Sequence, residues 1–365
     1  MRVLQLPADY FHTPLYKLLF EAEQKLGIKN EVYVTCLDDS VELSDGIQCT
    51  KHKFNALQRL IYFGKQRTLW NELDVWLQSN KIDLIHAHTL YSTGYLAYKA
   101  KQRYGIPYVV AVRNTDINVF YKRMPHLRYI GAKILRDADA VVFISNSYSK
   151  FVHSKFSFLT DNQCHIIPNG VNKFWLEHMP TAPKICTKNR IRLIFAGLVG
   201  YNKNILLTIQ ACKLIKSQGY DVEYTIIGKI EAPKYKTMID DNSFITYHPF
   251  MSKELLIEQY RKADIFVMPS FTETFGLVYV EAMSQGLPVI YTRGQGFDGA
   301  YPEGEVGYSV NPNDANELVD VILKIIENYA SISTNCIKAT DKYNWNNIAF
   351  RYKGLYDTIK ASLQT

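Results

Sequence analysis

The stretch from Met268 to Pro288, M-P-S-F-T-E-T-F-G-L-V-Y-V-E-A-M-S-Q-G-L-P, decides how the rest of the chain is read. The apolar run ending at its first residue, Ile265 to Met268, has the length and composition of a buried parallel strand. Pro269-Ser270 open a turn, and the residues from Thr274 to Gln285 predict a helix that Gly286 and Pro288 stop. Within it Glu281 stands among Val278, Tyr279, Val280, Ala282 and Met283, so a helix apolar nearly all round carries one carboxylate. An unpaired buried charge costs several kcal/mol, so a structural cation or a polar ligand must meet it. Glu273 lies in the turn before, and Phe275, Gly276 and Leu277 bring free backbone N–H groups to the helix start, which suits a phosphate. On the residues alone, Glu273 is equally an exposed turn residue and Glu281 one half of an internal salt bridge.

With these residues in view, the chain resembles the retaining glycosyltransferases of family 4, which have two Rossmann-like domains (the GT-B fold). That family reads Pro-Ser, Glu, seven residues including Phe-Gly, Glu-Ala and then Gly-x-Pro-Val. The matches are Pro269-Ser270, Glu273, Phe275-Gly276, Glu281-Ala282 and Gly286-Leu287-Pro288-Val289. The resemblance implies an α/β fold of two doubly wound domains facing a central cleft, with a nucleotide-sugar donor on the second. It further implies that Glu281 holds the donor ribose, that Glu273 holds sugar hydroxyls and that Phe275, Gly276 and Leu277 face the diphosphate. Gly197 and Gly228, each closing a strand of the second half, belong to the same donor set.

Length and composition agree. A chain of 365 residues with 47% hydrophobic content suits two globular domains of roughly 150 to 180 residues. No apolar run approaches the roughly 18 residues that span a bilayer, and the first residues read as a strand rather than a leader. Six cysteines scattered singly suit a reducing compartment and argue against structural zinc. The expected location is therefore cytoplasmic.

In order, strand-like runs cover Val3 to Leu6, Val32 to Cys36, Leu84 to Ala87, Tyr108 to Val112, Ala140 to Ile144 and His165 to Ile167. Helical patterns at Leu15 to Leu26, Ala56 to Leu77 and Gly94 to Tyr104 lie between them, the rhythm of a parallel doubly wound sheet. Met179 to Pro183 reads as the linker. A second set follows: Arg192 to Ala196, Tyr224 to Ile227, Ile245 to Tyr247, Ile265 to Met268 and Val289 to Tyr291. The expected domains are residues 1–180 for the acceptor and 187–345 for the donor. By the resemblance, a helix over 346–365 crosses back to the first.

Ile85-His86-Ala87-His88 puts both imidazoles on one strand face. No third ligand accompanies them, so a core or cleft role is read rather than a metal, and the family carries a similar His-x-His in its cleft. Arg113 stands where relatives read histidine in Val112-Arg113-Asn114-Thr115-Asp116. It is assigned a catalytic place binding sugar hydroxyls or phosphate, with a salt bridge to Asp116 or another acid as the alternative. His12, His88, Asn114 and Asp116 are the acceptor or cleft candidates. The first loop, Ala8 to Pro14, holds no glycine where relatives often have two. In Pro168-Asn169-Gly170-Val171-Asn172 the Asn-Gly pair is expected to supply positive φ.

In the second half, Lys203 follows Gly197 at the family's lysine spacing and is assigned to the donor diphosphate, while Leu198 falls where an arginine is expected. The catalytic assignments are thus Glu273, Lys203 and Arg113. Gly294-Gln295-Gly296-Phe297-Asp298-Gly299 satisfies the dinucleotide fingerprint formally, yet Pro302, Gly304 and Gly307 occupy the place of the required helix. It is read as a loop over the donor site, and a dehydrogenase reading is set aside.

Charge is uneven: residues 1–180 hold 22 Lys and Arg against 16 Asp and Glu. The excess lies at Lys51, Lys53, Arg59, Lys65 and Arg67 and at Lys122, Arg123, Arg128, Lys133 and Arg136, interleaved with apolar and aromatic residues. A solvated face is the ordinary reading; an anionic membrane or a diphosphate-linked lipid acceptor also fits, and nucleic acid does not, for want of a motif. No cofactor and no metal are expected, since no Asp-x-Asp lies in a suitable loop. The resemblance therefore implies transfer of a hexose from a UDP- or GDP-linked sugar to a glycan or lipid-linked acceptor, with retention, in surface polysaccharide or glycolipid synthesis. The competing reading is a non-catalytic sugar-nucleotide-binding subunit that supports a partner transferase.

Overall fold

The computed structural model describes residues 1–36, 47–51, 62–187 and 189–363. The chain forms two compact units. The first comprises Met1–Ile144, Ser149–Asn169 and Trp345–Thr365; the second comprises Ser145–Tyr148 and Gly170–Asn344.

The first unit holds a parallel sheet of β1 (Arg2–Leu6), β2 (Lys29–Cys36), β3 (Ile47–Lys51), β4 (Leu84–Ala87), β5 (Tyr108–Val112), β6 (Ala140–Phe143) and β7 (Cys164–Ile166), in the order β3-β2-β1-β4-β5-β6-β7. Its central strands, L-I-H-A, Y-V-V-A-V and A-V-V-F, are buried at every position, because helices cover both faces. The second unit repeats the plan with β8 (Arg190–Ala196), β9 (Asp221–Ile227), β10 (Ile245–His248), β11 (Ile265–Val267), β12 (Val289–Thr292) and β13 (Gly307–Val310), ordered β10-β9-β8-β11-β12-β13. Each sheet therefore reverses its winding once, between β1 and β4 and between β8 and β11, and ligands of such sheets gather beyond the strand carboxyl ends at that reversal.

Two expectations are corrected and two strands are added. The helix expected from Thr274 begins at Leu277, because Gly276 takes φ +82° and holds the preceding residues in a loop. Strands β3 and β13 escaped the sequence reading, being short and polar. At β13 the glycine has a steric cause, since a Cβ on Gly307 would lie 1.8 Å from the Val289 carbonyl oxygen. Asn169 and Gly170 do not take positive φ; Asn169 instead accepts a hydrogen bond from Arg113 (Nη1–Oδ1 2.9 Å). Part of the helix expected over Ala56 to Leu77 lies outside the described residues, and its described portion runs Tyr62–Ser79.

The terminal helix, Trp345–Ser362, packs on the first unit as expected. Ile348, Tyr352, Leu355, Tyr356 and Ile359 follow helical spacing and join a core with Val3, Leu19, Phe20 and Val34. One polar network fastens it. Tyr356 donates to Glu23 (3.1 Å) and meets His86 Nδ1 at 2.6 Å, while Gln5 bridges Glu23 (3.0 Å) to His88 Nε2 (2.8 Å). Glu23, His86 and His88 are wholly buried. Burial raises the Glu23 carboxyl to about 8, against hydrogen bonds from Tyr356 and Asn30 that pull it down, and lowers His86 to about 3.

The Glu23 carboxyl thus folds in its neutral form, and the stability it contributes is present below its unfolded value and is lost as pH rises through about 8. Thermal unfolding of wild type and Glu23→Gln between pH 5 and pH 9 should separate in the variant's favour by about 1.4 kcal/mol per pH unit, then level off above pH 8. Parallel profiles would show that Glu23 does not titrate in this way.

Candidate active site

The second unit carries a cavity of about 410 Å³ at the carboxyl ends of β8, β9 and β10. It is lined by Gly197 and Leu198 after β8, Gly228 and Lys229 after β9, Phe250 and Met251 after β10, and Val278 and Glu281 of the helix Leu277–Ser284. This size and largely apolar lining, with few polar groups, suit a small-molecule site.

Its floor depends on two glycines. The β8–β9 ladder pairs Ala196 with Ile227 and continues in register to Val199 opposite Ile230. Gly228 (φ +140°) therefore faces Gly197, and a Cβ on Gly228 would fall 1.9 Å from the Gly197 carbonyl oxygen. That clash is with backbone, so no rotamer relieves it.

Among the described residues Glu281 meets no cation. Its carboxylate accepts a hydrogen bond from the side chain of buried Trp175, in the helix Lys173–Glu177, while burial raises the carboxyl to about 7. One indole donor leaves acceptor sites unused on a half-buried group that lines a cavity, and a diol can fill them. The internal salt bridge, the alternative open in the sequence, is not what is found.

Beside the reversal between β8 and β11, Lys203 Nζ lies 2.6 Å from Glu273 Oε2. The other carboxylate oxygen of Glu273 accepts the Thr274 N–H (3.0 Å). Two features fix this pair. Asn204, in left-handed backbone (φ 52°), clamps the end of the Lys203 turn by donating to the carbonyls of Pro269 (3.2 Å) and Pro312 (2.8 Å). The loop after β12 holds the Glu273 backbone, with Gly296 N–H donating to its carbonyl (2.8 Å) and Gln295 Oε1 accepting its N–H (3.1 Å). A Cβ on Gly296 would stand 2.5 Å from the Phe275 nitrogen, so the glycine-rich segment is pressed against the Thr274-Phe275 backbone. Phe275 is buried on Phe297 and Tyr343, and the first-turn amides that follow from Gly276 and Leu277 lack intrahelical acceptors.

In the first unit, Asp116 is wholly buried and accepts the N–H groups of Leu90 (3.0 Å), Tyr91 (3.1 Å) and Arg113 (2.8 Å). It staples the loops after β4 and β5, with its carboxyl raised by burial to about 6. The Arg113 guanidinium contacts Asn169 and the His88 carbonyl (3.4 Å). His88 is buried with Nδ1 unpartnered and stacks on His86 at 3.9 Å. His12 is exposed and pairs with Asp9 (2.7 Å), and exposed Asn114 accepts from Asn118. Among the described residues no group of three or more His, Cys, Asp or Glu could hold a metal.

Trp175, Asn204 and Lys229 were not found in the sequence, whereas Gln295 lies in the glycine-rich loop read there as covering the donor site. Asn204 carried a faint signal, since asparagine tolerates left-handed backbone; Trp175 reaches the site from a distant element, which no local pattern reveals.

Two family models cover most of the chain: "Glycosyl transferases group 1" matches residues 183–343 and "Glycosyltransferase Family 4" matches residues 19–173. The chain belongs to the GT-B glycosyltransferases of the family 4 type. Among curated proteins it is similar to a D-inositol 3-phosphate glycosyltransferase of Arthrobacter sp. (strain FB24), 27% identical over 69% of this chain and 64% of the relative. The match therefore spans slightly less than two thirds of that relative. Among solved structures, sucrose-phosphate synthase from Thermosynechococcus elongatus shares the fold with a TM-score of 0.75 at 19% identity, covering 99% of this chain and 100% of that one. Anabaena HepE in complex with UDP and glucose does so with a TM-score of 0.66 at 17% identity, covering 98% and 100%.

Gly228→Ala should disrupt this cavity, abolish binding of any ligand seated in it and lower the unfolding temperature of the second unit, because two backbones must separate. Calorimetry and thermal unfolding check both; a variant with wild-type binding would mean that the Gly197–Gly228 approach does not shape the site.

Proposed function

We propose that the protein is a retaining glycosyltransferase that moves a hexose from a UDP- or GDP-linked sugar to a hydroxyl of a glycan or lipid-linked acceptor. The observation that carries the reading is the cavity with Glu281 on its wall, adjoined by a helix start and the Lys203–Glu273 pair. Glu281 accepts the ribose hydroxyls, and the amides at Phe275 to Leu277 face the diphosphate. The Lys203 ammonium has three N–H donors, so it keeps Glu273 and still reaches a phosphate oxygen. As the bond from the sugar carbon to the phosphate oxygen breaks, its electrons leave with the nucleoside diphosphate, and Lys203 stabilises the growing charge. The acceptor oxygen takes the vacated bond and its proton passes to the departing phosphate. Glu273 holds sugar hydroxyls and forms no covalent bond, unlike the nucleophile of a retaining glycosidase. Arg113 keeps its assigned catalytic place, binding sugar hydroxyls or phosphate; His12, His88 and Asn114 belong to the acceptor side, and Asp116 serves that side by shaping the loops.

HepE, solved with UDP and glucose, lends support to a nucleotide-sugar donor. We place no cofactor or metal in the reaction, and a cytoplasmic location fits the reading; among the described residues no helix is long and apolar enough to cross a membrane. A peripheral contact with an anionic surface is supported by the basic first unit, where Arg128 lies over Tyr121 (4.5 Å) and Arg136 over Phe158 (4.3 Å). Such beds keep guanidinium groups beside apolar rings. Lys65, Arg67, Lys122, Arg123 and Lys133 extend that basic surface, while Lys53 and Arg59 lie outside the described residues. Synthesis of a surface polysaccharide or glycolipid follows from such an acceptor.

Calorimetry with UDP, GDP, ADP and CMP should find one diphosphate that binds selectively, with Glu281→Ala weakening it by about 1 to 3 kcal/mol. If none binds, or the variant binds as well as wild type, the donor assignment fails; selective binding without turnover on any lipid or oligosaccharide acceptor would favour the binding-subunit reading. Because the ribose is held by the ionised carboxylate, affinity should rise with pH through about 7, and Glu281→Gln should remove that component. An unchanged profile in Glu281→Gln would assign the titration elsewhere.

A further inference from the structure

Lys203 is shared with Glu273, and Leu198 on the cavity wall is apolar, so a doubly charged diphosphate entering this site has one more requirement to meet. Lys229 meets it. The residue lines the same cavity as Glu281 and makes no ion pair with any described residue. Its backbone is fixed: Val199 N–H donates to the Lys229 carbonyl (2.8 Å) and Glu231 N–H donates to the Val199 carbonyl (2.9 Å). The β8–β9 ladder ends at Ala196–Ile227 and a separate bridge joins Val199 to Ile230 at the same offset, so Lys229 falls opposite Leu198 in the break between them. Both of these residues line the cavity.

Resting on the donor reading above, we propose that Lys229 binds the diphosphate of the nucleotide sugar, as a second cation delivered from the β9 end of the sheet. Its partner is phosphate rather than base or ribose. Lys229 follows Gly228 at the end of β9, next to β8, while Phe250 and Met251 follow the edge strand β10, furthest from the reversal; that apolar pair suits a base and Glu281 on the helix serves the ribose. The exposed stem lets the ammonium swing to the leaving group as charge develops there.

The test is calorimetric titration of wild type, Lys229→Ala and Lys229→Ala with Leu198→Arg, using UDP and GDP alongside uridine and guanosine. For the diphosphate that wild type binds, Lys229→Ala should lose about tenfold or more in affinity, the scale of one charged hydrogen bond, and become less sensitive to salt. Its nucleoside should bind both proteins within about twofold. Leu198→Arg, placed at the opposite position, should restore most of the loss. Equal losses for nucleoside and diphosphate would put Lys229 on the base or ribose and overturn the proposal, as would an unchanged diphosphate affinity. If wild type binds neither UDP nor GDP, the donor reading itself fails, a result distinct from a failure at Lys229 alone.

Discussion

The ion pair between Lys203 and Glu273 is the interaction on which the site's organisation depends. At 2.6 Å and with both side chains mostly shielded from water, it holds two loops of opposite task against each other beside the reversal of the sheet. A partly buried pair contributes little net stability unless its remaining hydrogen-bonding capacity is filled. Here Thr274 fills one side of Glu273, whereas the Lys203 ammonium keeps donors to spare. What the pair provides is position: the carboxylate is held in one orientation, and the ammonium is neutralised without being saturated. Its supports are backbone features, the left-handed Asn204 and the close approach of Gly296, and neither can shift without moving a loop.

A similar economy governs the first unit. Glu23, Gln5, His86, His88 and Tyr356 form a network in which charge is avoided rather than paired, since burial neutralises the carboxyl and the imidazoles alike. The network joins the terminal helix to strands β1 and β4, so the last part of the chain completes the core of the first unit. Polar groups buried without charge cost less, and their directional bonds give the helix one seating.

How far the sequence revealed this follows from the range of each signal. The central strands were legible because burial on both faces leaves unbroken apolar runs, as in Tyr108–Val112. The Pro-Ser, Glu, Phe-Gly and Glu-Ala spacing identified the family because its chemistry is compressed into one turn and one helix. Strand β13 was not legible, since a glycine dictated by the Val289 carbonyl breaks its apolar pattern. Nor was the partner of Glu281, because Trp175 comes from an element far along the chain. Asp116 looked like a ligand-binding residue and is occupied by three backbone amides, a distinction that depends on loop geometry alone.

The most direct test of the account is a crystal structure of the protein with UDP or GDP, whichever it binds. The account predicts ribose hydroxyls within hydrogen-bond distance of the Glu281 carboxylate, and a phosphate oxygen within reach of Lys203 while Glu273 remains beside it. A nucleotide bound with its ribose away from Glu281, or with its phosphates away from Lys203, would contradict the assignment at its centre.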